Sequence, residues 1–242
     1  MQTVYLQPSQ INQGPLVLVN ATHPYQASQI PDLKKIQNEQ MQTRAAMALQ
    51  QILMQTDRIF CVSGYRSHAT QQALYEDCIK ERGIQTAANY VALPGCSEHE
   101  TGLAMDLALK GSDMDLICPH FQDDPLCDWF SREAVRHGFI RRYQAKDQEV
   151  TGIAAEPWHF RYVGHPHAAL MERYGWCLEN YHRILAQHDL YDPLIYVEEG
   201  WVYEIFLVRL TRPTSLSLRD AAAYMLSGNN IDGVVVTVRR RA

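Results

Sequence analysis

The chain has 242 residues, long enough for one sizeable core or for a main domain with a small addition. Its 22 basic and 27 acidic side chains leave a formal net charge of −5, and 46% of its residues are hydrophobic, the balance of a folded, weakly acidic soluble protein with no nucleic-acid surface. No apolar span of ~20 residues is present, and the N-terminal stretch lacks the apolar h-region of a secretion signal, so the expectation is a cytoplasmic protein with no membrane segment.

Residues 1 to 30 hold Gln, Asn and Pro around a short apolar piece, Pro15 to Val19, and read as an arm that packs on the main body. Leu33, Ile36, Met41, Ala45, Leu49, Ile52 and Leu53 predict one long amphipathic helix from Pro31 to Asp57. Arg58 to Ser63 is β-branched and aromatic and ends at Gly64, which predicts a buried strand; a helix follows from about Ala69 to Arg82. Asn89 to Gly102 is expected to be loop and Leu103 to Leu109 a strand. Asp124 to His137 predicts a helix, with Asp124 before Pro125 as its start and Gly138 as its stop.

Trp158 to Val163 predicts a strand that sends His159, Arg161 and Val163 to one face and Trp158, Phe160 and Tyr162 to the other. One or two helices are expected in Pro166 to His188. Beyond Asp192-Pro193 the expected order is a strand (Trp201 to Val208), a helix (about Ser217 to Leu226), a turn and a strand (Val234 to Val238). The basic run Arg239 to Arg241 reads as a frayed, solvated tail. Six cysteines, Cys61, Cys78, Cys96, Cys118, Cys127 and Cys177, form no C-x-x-C pair and read as free thiols.

Three pieces of sequence carry chemistry: Ser63-Gly64-Tyr65-Arg66-Ser67, Ser97 to Asp106, and Glu156-Pro157-Trp158-His159. Asp106 interrupts an apolar strand, where an unpaired carboxylate is costly, and a divalent cation is one way to remove the cost. His99 and Asp106 would face opposite sides of one unbroken strand, so a bend is needed to bring them together, and Gly102 supplies it. Catalytic zinc takes three protein ligands and leaves a position for water, and His159 is the best third candidate. Pro157 keeps the Glu156 to His159 segment out of regular helix, so this is not H-E-x-x-H, yet Glu156 is placed to act as base. Arg66, on a strand-to-helix turn, offers a fork of donors for a substrate carbonyl or carboxylate.

The pattern S-G-Y-R-S with Gln71 five residues past the arginine, then S-x-H-x-x-G-x-A-x-D, then E-x-W-H resembles the VanY and VanXY D,D-peptidases of glycopeptide-resistant bacteria, over roughly residues 15 to 190. The wider group includes D-Ala-D-Ala dipeptidases and the hedgehog zinc module. The resemblance implies Zn2+ on His99, Asp106 and His159, Glu156 as acid and base, Arg66 polarising the scissile carbonyl with Gln71 assisting, and Ser97 and Trp158 lining the pocket. It implies D-Ala-D-Ala and peptidoglycan precursor peptides as substrates, and a role in vancomycin resistance.

The expected architecture is α+β, a small, mainly antiparallel sheet carrying the zinc site and flanked by helices. Residues 1–192 would form the peptidase domain and 193–242 a small C-terminal α/β appendage. Two other readings stay open: an L,D-carboxypeptidase acting on cell-wall tetrapeptides, and a non-catalytic zinc-stabilised binding module.

Overall fold

Two segments expected as strands, 103–109 and 158–163, pair directly in the computed structural model, which describes residues 2–26, 31–112 and 115–242. In chain order the elements are β1 (Gln2–Leu6), β2 (Leu33–Ile36), β3 (Glu39–Gln42), α1 (Thr43–Leu53), β4 (Ile59–Ser63), α2 (His68–Arg82) and α3 (Ile84–Tyr90). Then come β5 (Ala104–Leu109), α4 (Pro125–Arg136), β6 (Phe139–Tyr143), α5 (Gln148–Thr151), β7 (Glu156–Tyr162), α6 (His167–Tyr174) and α7 (Leu178–Leu185). The chain closes with β8 (Leu194–Glu198), β9 (Trp201–Arg209), β10 (Thr214–Leu218), β11 (Ala223–Gly228) and β12 (Gly233–Arg241). The class is α+β, as expected. Residues 2–18, 26 and 178–242 make one unit, and the other described residues make a second.

The second unit is built on an antiparallel sheet in the order β4-β5-β7-β6. Asp106 and His159 are register partners across β5 and β7, so their side chains leave the sheet on the same face. Met105 and Phe160, partners one step along, leave on the opposite face. There Phe160 meets Phe121 and Phe130 edge-on, with ring centroids 5.6 and 4.9 Å away. Each such pair contributes ~0.5–1.5 kcal/mol beyond its burial, which anchors the sheet on α4. That helix starts as its sequence predicts: the Asp124 carboxylate accepts from the Leu126 N–H at 2.8 Å, and Pro125 fills the first turn.

The long helix expected over Pro31 to Asp57 is confined to α1; its first part is the hairpin β2-β3. The step from Ile36 to Met41 is five residues, which no helix keeps on one face, and Gln37 turns the chain with φ at 51°. The hairpin also makes long-range bonds: Gln40 O accepts from Tyr65 N at 2.7 Å, and Gln42 N donates to Gly102 O at 2.8 Å. Inside the segment expected as loop, Glu98–Thr101 forms a turn of 3-10 helix.

In the first unit the sheet runs β11-β12-β9-β8, and β1 pairs separately with β10. The N-terminal residues expected as an arm thus open with a strand whose Val4 and Leu6 join Phe206, Leu216, Leu218 and Val236 in one core. The helix expected over Ser217 to Leu226 is absent: those residues end β10, turn at Asp220, and enter β11. Three consecutive alanines favour helix locally, but Leu216 and Leu218 alternate into the core and pairing with β1 and β12 overrides the propensity. Residues 193–242 therefore contain strands and no helix. Nor is 239–241 a frayed tail: Arg240 pairs with Glu204 at 2.9 Å, and Arg239 and Arg241 lie over the Trp201 ring.

Candidate metal centre

Three local features converge on one point. Cross-strand pairing sets Asp106 beside His159, with Nδ1 of the imidazole 3.0 Å from Oδ1. The 3-10 turn carries His99, and Gly102 ends it in the left-handed region (φ 70°), turning the chain into β5. His99 Nε2 then lies 3.1 Å from Asp106 Oδ2, and the two imidazoles meet edge to face with centroids 5.0 Å apart. One donor atom from each of His99, Asp106 and His159 lies within 4.8 Å of the others, and all three residues are buried.

These contacts are short but lack hydrogen-bond geometry. His99 Nδ1 sits 2.8 Å from the Gly64 carbonyl and donates its proton there, so Nε2 faces Asp106 with a lone pair. Both His99 Nε2 and Asp106 Oδ1 are buried without a hydrogen-bond partner, a costly state for buried polar atoms. Bonds of ~2.0–2.1 Å from a tetrahedral zinc would put ligand atoms roughly 3.3 Å apart, close to the 3.0 and 3.1 Å that separate the Asp106 oxygens from the two imidazoles. The residues present therefore fit a divalent cation.

The electrostatics agree. Burial and the Arg66 charge push His99 down to about 4, keeping it neutral. Burial works against charge on His159, yet Asp106, Glu98 and Glu156 outweigh it and bring the group up to about 9. Three carboxylates around one imidazole call for positive charge at this point, as a proton or a metal ion. The two imidazoles hold Asp106 well below the usual carboxylate range in spite of its burial.

Glu156, at the start of β7, is paired in register with Tyr143 of β6, and its Oε2 lies 3.5 Å from His159 Nδ1. Burial pushes its carboxyl up to about 8, with His159 opposing the shift and Asp106 reinforcing it. Arg66 lies just beyond β4; its backbone N–H donates to His99 O at 3.2 Å, and Nη2 sits 3.9 Å from Asp106 Oδ2. Its Nε is buried with no hydrogen-bond partner.

One cavity is lined by Arg66, Ser97, His99, Asp106, Glu156, Trp158 and His159, so seven of the residues singled out in the sequence face it together. Gln71 does not line it. That side chain is fully buried and its Nε2 donates to Ala92 O at 2.8 Å, so Gln71 supports the wall from behind. Tyr90, Leu116, Ile117 and Ile153 give the cavity an apolar side. Sequence reasoning missed Glu98, Arg142, Arg161 and Tyr143. Glu98 is buried between Arg142 Nε at 2.8 Å and Arg161 Nη1 at 2.7 Å, and the Tyr143 ring lies 4.9 Å from that of His159. The signal was present: Arg161 interrupts an aromatic strand just as Asp106 interrupts an apolar one.

With this geometry in place, the chain matches the family described as VanY, D-alanyl-D-alanine carboxypeptidase, over residues 35–165. It belongs to the VanY family. A curated relative, the bifunctional D-Ala-D-Ala dipeptidase and D-Ala-D-Ala carboxypeptidase VanXYC of Enterococcus gallinarum, is 42% identical over 181 residues, covering 71% of this chain and 95% of the relative. Among solved structures, the vancomycin resistance D,D-dipeptidase VanXYg, in complex with a D-Ala-D-Ala phosphinate analog, superposes with a TM-score of 0.94 at 38% identity, covering 99% of both chains. A VanY D,D-pentapeptidase mutant in complex with Zn(II) gives a TM-score of 0.61 at 32% identity over 69% of this chain and 98% of that one. The VanY match begins within β2 and takes in β3, the sheet and all three motifs.

Proposed function

We propose that this chain is a zinc-dependent D,D-peptidase that hydrolyses the dipeptide D-Ala-D-Ala and removes C-terminal D-Ala from peptidoglycan pentapeptide precursors, contributing to vancomycin resistance. The observation that carries the reading is the convergence of His99 Nε2, Asp106 and His159 Nδ1 on one point beside Glu156 and Arg66. The near-complete superposition on VanXYg supports the dipeptidase side, and the bifunctional Enterococcus gallinarum relative supports the pairing of two activities.

His99, Asp106 and His159 would hold the zinc, which when bound acidifies water and polarises the scissile carbonyl. Glu156 takes the proton from the attacking water on its carboxylate and returns it to the leaving amine. Arg66 directs its buried donors at the substrate carbonyl oxygen, where negative charge develops. Ser97 and Trp158 shape the pocket, and Gln71 acts by holding Ala92 in its wall.

Among the described residues no helix is long and apolar enough to cross a membrane. Likeness to the VanXY enzymes supports a cytoplasmic location, which cell fractionation tests. For the activity, zinc-loaded protein is incubated with D-Ala-D-Ala, with a pentapeptide ending in D-Ala-D-Ala, and with the tetrapeptide. Release of D-Ala from the first two is expected; release from neither overturns the assignment, and faster turnover of the tetrapeptide identifies an L,D-carboxypeptidase instead.

A further inference from the structure

Glu98 is 1% exposed, and its two carboxylate oxygens serve different partners. Oε1 accepts from Arg142 Nε at 2.8 Å and forms an ion pair with Arg161 Nη1 at 2.7 Å, whereas Oε2 faces His159 Nε2 across a long hydrogen bond of 3.4 Å. Taking a carboxylate and two guanidiniums out of water costs on the order of several kcal/mol per ion, and apolar side chains fill such space as stably. The cluster therefore has a use beyond filling the core.

The opposite nitrogen of the same ring supplies that use. His159 Nδ1 lies 3.0 Å from Asp106 Oδ1 and 3.5 Å from Glu156 Oε2. A neutral imidazole carries one N–H and one lone pair, so a proton fixed on Nε2 leaves the lone pair on Nδ1. Without an acceptor at Nε2, the proton would settle on Nδ1 against the two nearby carboxylates and block that donor atom. His99 meets the same need through the Gly64 carbonyl, with the roles of its two nitrogens exchanged.

We propose that Glu98 is a positioning residue that pins His159 as the Nε2–H tautomer, with Arg142 and Arg161 clamping the carboxylate in place. This rests on the proposed zinc site, and the clamp sets how tightly that site holds its metal. The side chain touches neither of the proposed reacting groups, Glu156 and Arg66, so its effect is read on the metal and on the ring.

The test uses the full-length, zinc-loaded protein. Nitrogen-15 NMR of wild type is expected to show His159 protonated at Nε2 and metal-bound at Nδ1. Chelator competition on Glu98→Gln is expected to show zinc affinity lowered about 10- to 100-fold, the usual cost of losing such a partner. Because that change removes the carboxylate shared by two buried guanidiniums, Glu98→Gln combined with Arg142→Met is measured beside it, restoring the charge balance. The double variant is expected to melt near the wild-type temperature and still bind zinc weakly. Wild-type affinity in the folded double variant, or a wild-type His159 bound through Nε2, overturns the role of Glu98 while leaving the zinc site standing; a wild-type chain that takes up no zinc overturns both.

Discussion

His99 donates its Nδ1 proton to the carbonyl of Gly64 at 2.8 Å, and the N–H of the same peptide unit, on Tyr65, is held by Gln40 O at 2.7 Å. The hairpin β2-β3 thereby fixes the direction in which a candidate metal ligand points. A Cβ on Gly64 would run into Gln40 O, a backbone atom that cannot swing aside. Gly64→Ala is expected to cost roughly 1–3 kcal/mol of stability, as overpacking does, and to weaken zinc binding as His99 loses its anchor. Thermal melting and metal analysis check both, and unchanged zinc affinity would show that the hairpin does not orient His99.

Glu156→Gln keeps the shape of the site and removes the base. The variant should retain one zinc per chain, because Glu156 is outside the three-residue ligand group, while kcat for D-Ala-D-Ala falls ~10²- to 10⁴-fold. Equal turnover in variant and wild type would remove Glu156 from the reaction, and unchanged biological function without any turnover would point to a binding module.

Much of the site was legible because its chemistry breaks local rules. Asp106 in an apolar strand and Gly102 on the stretch between His99 and Asp106 stand out without any knowledge of partners, and the structure gives both the expected geometry. What stayed hidden depends on pairing between distant segments. Leu33 to Met41 shows enough helix-like spacing to mislead, and its hairpin is decided by bonds to Tyr65 and Gly102 that no local pattern contains. Glu98 adjoins His99 in sequence, but its partners arrive from β6 and β7, more than forty residues later. The three alanines before Tyr224 were outvoted in the same way by β12.

Asp115 ties the apolar side of the cavity to α2. Its carboxylate pairs with Arg82 at 2.9 Å and accepts from the N–H groups of Ile117 and Cys118, next to Leu116 and Ile117 of the wall. The Arg82 hydrogen bond and those N–H groups bring the Asp115 carboxyl down to about 2, below its usual 3.8. Because the folded value is depressed, the stabilisation is present above pH ~4 and is lost as pH falls through about 2. Asp115→Asn should be less stable than wild type at neutral pH, with the gap narrowing below pH ~4 in denaturant titrations. A gap that stays constant down to pH ~2.5 would show that the charge on Asp115 contributes nothing.

Arg66 brings a rigid fork to the cavity, with Nε buried and unpartnered and Nη2 at 3.9 Å from Asp106 Oδ2, too long for a strong bond. Its donors are thus largely unspent within the protein, although burial lowers its pKa against the pull of Asp106, Glu156 and other carboxylates. Arg66→Lys preserves the positive charge beside Asp106, so the variant should fold and bind zinc as wild type does. The lysine cannot reproduce two donors in a fixed plane, and the loss of that geometry at a developing oxyanion is expected to lower kcat/KM ~10²- to 10³-fold. If the fork acts on the carbonyl as charge develops, the loss falls on kcat; if it holds only the substrate carboxylate, it falls on KM. Unaltered kinetics in a zinc-loaded, folded Arg66→Lys protein would remove the guanidinium from both roles and leave its charge as the only contribution to the site.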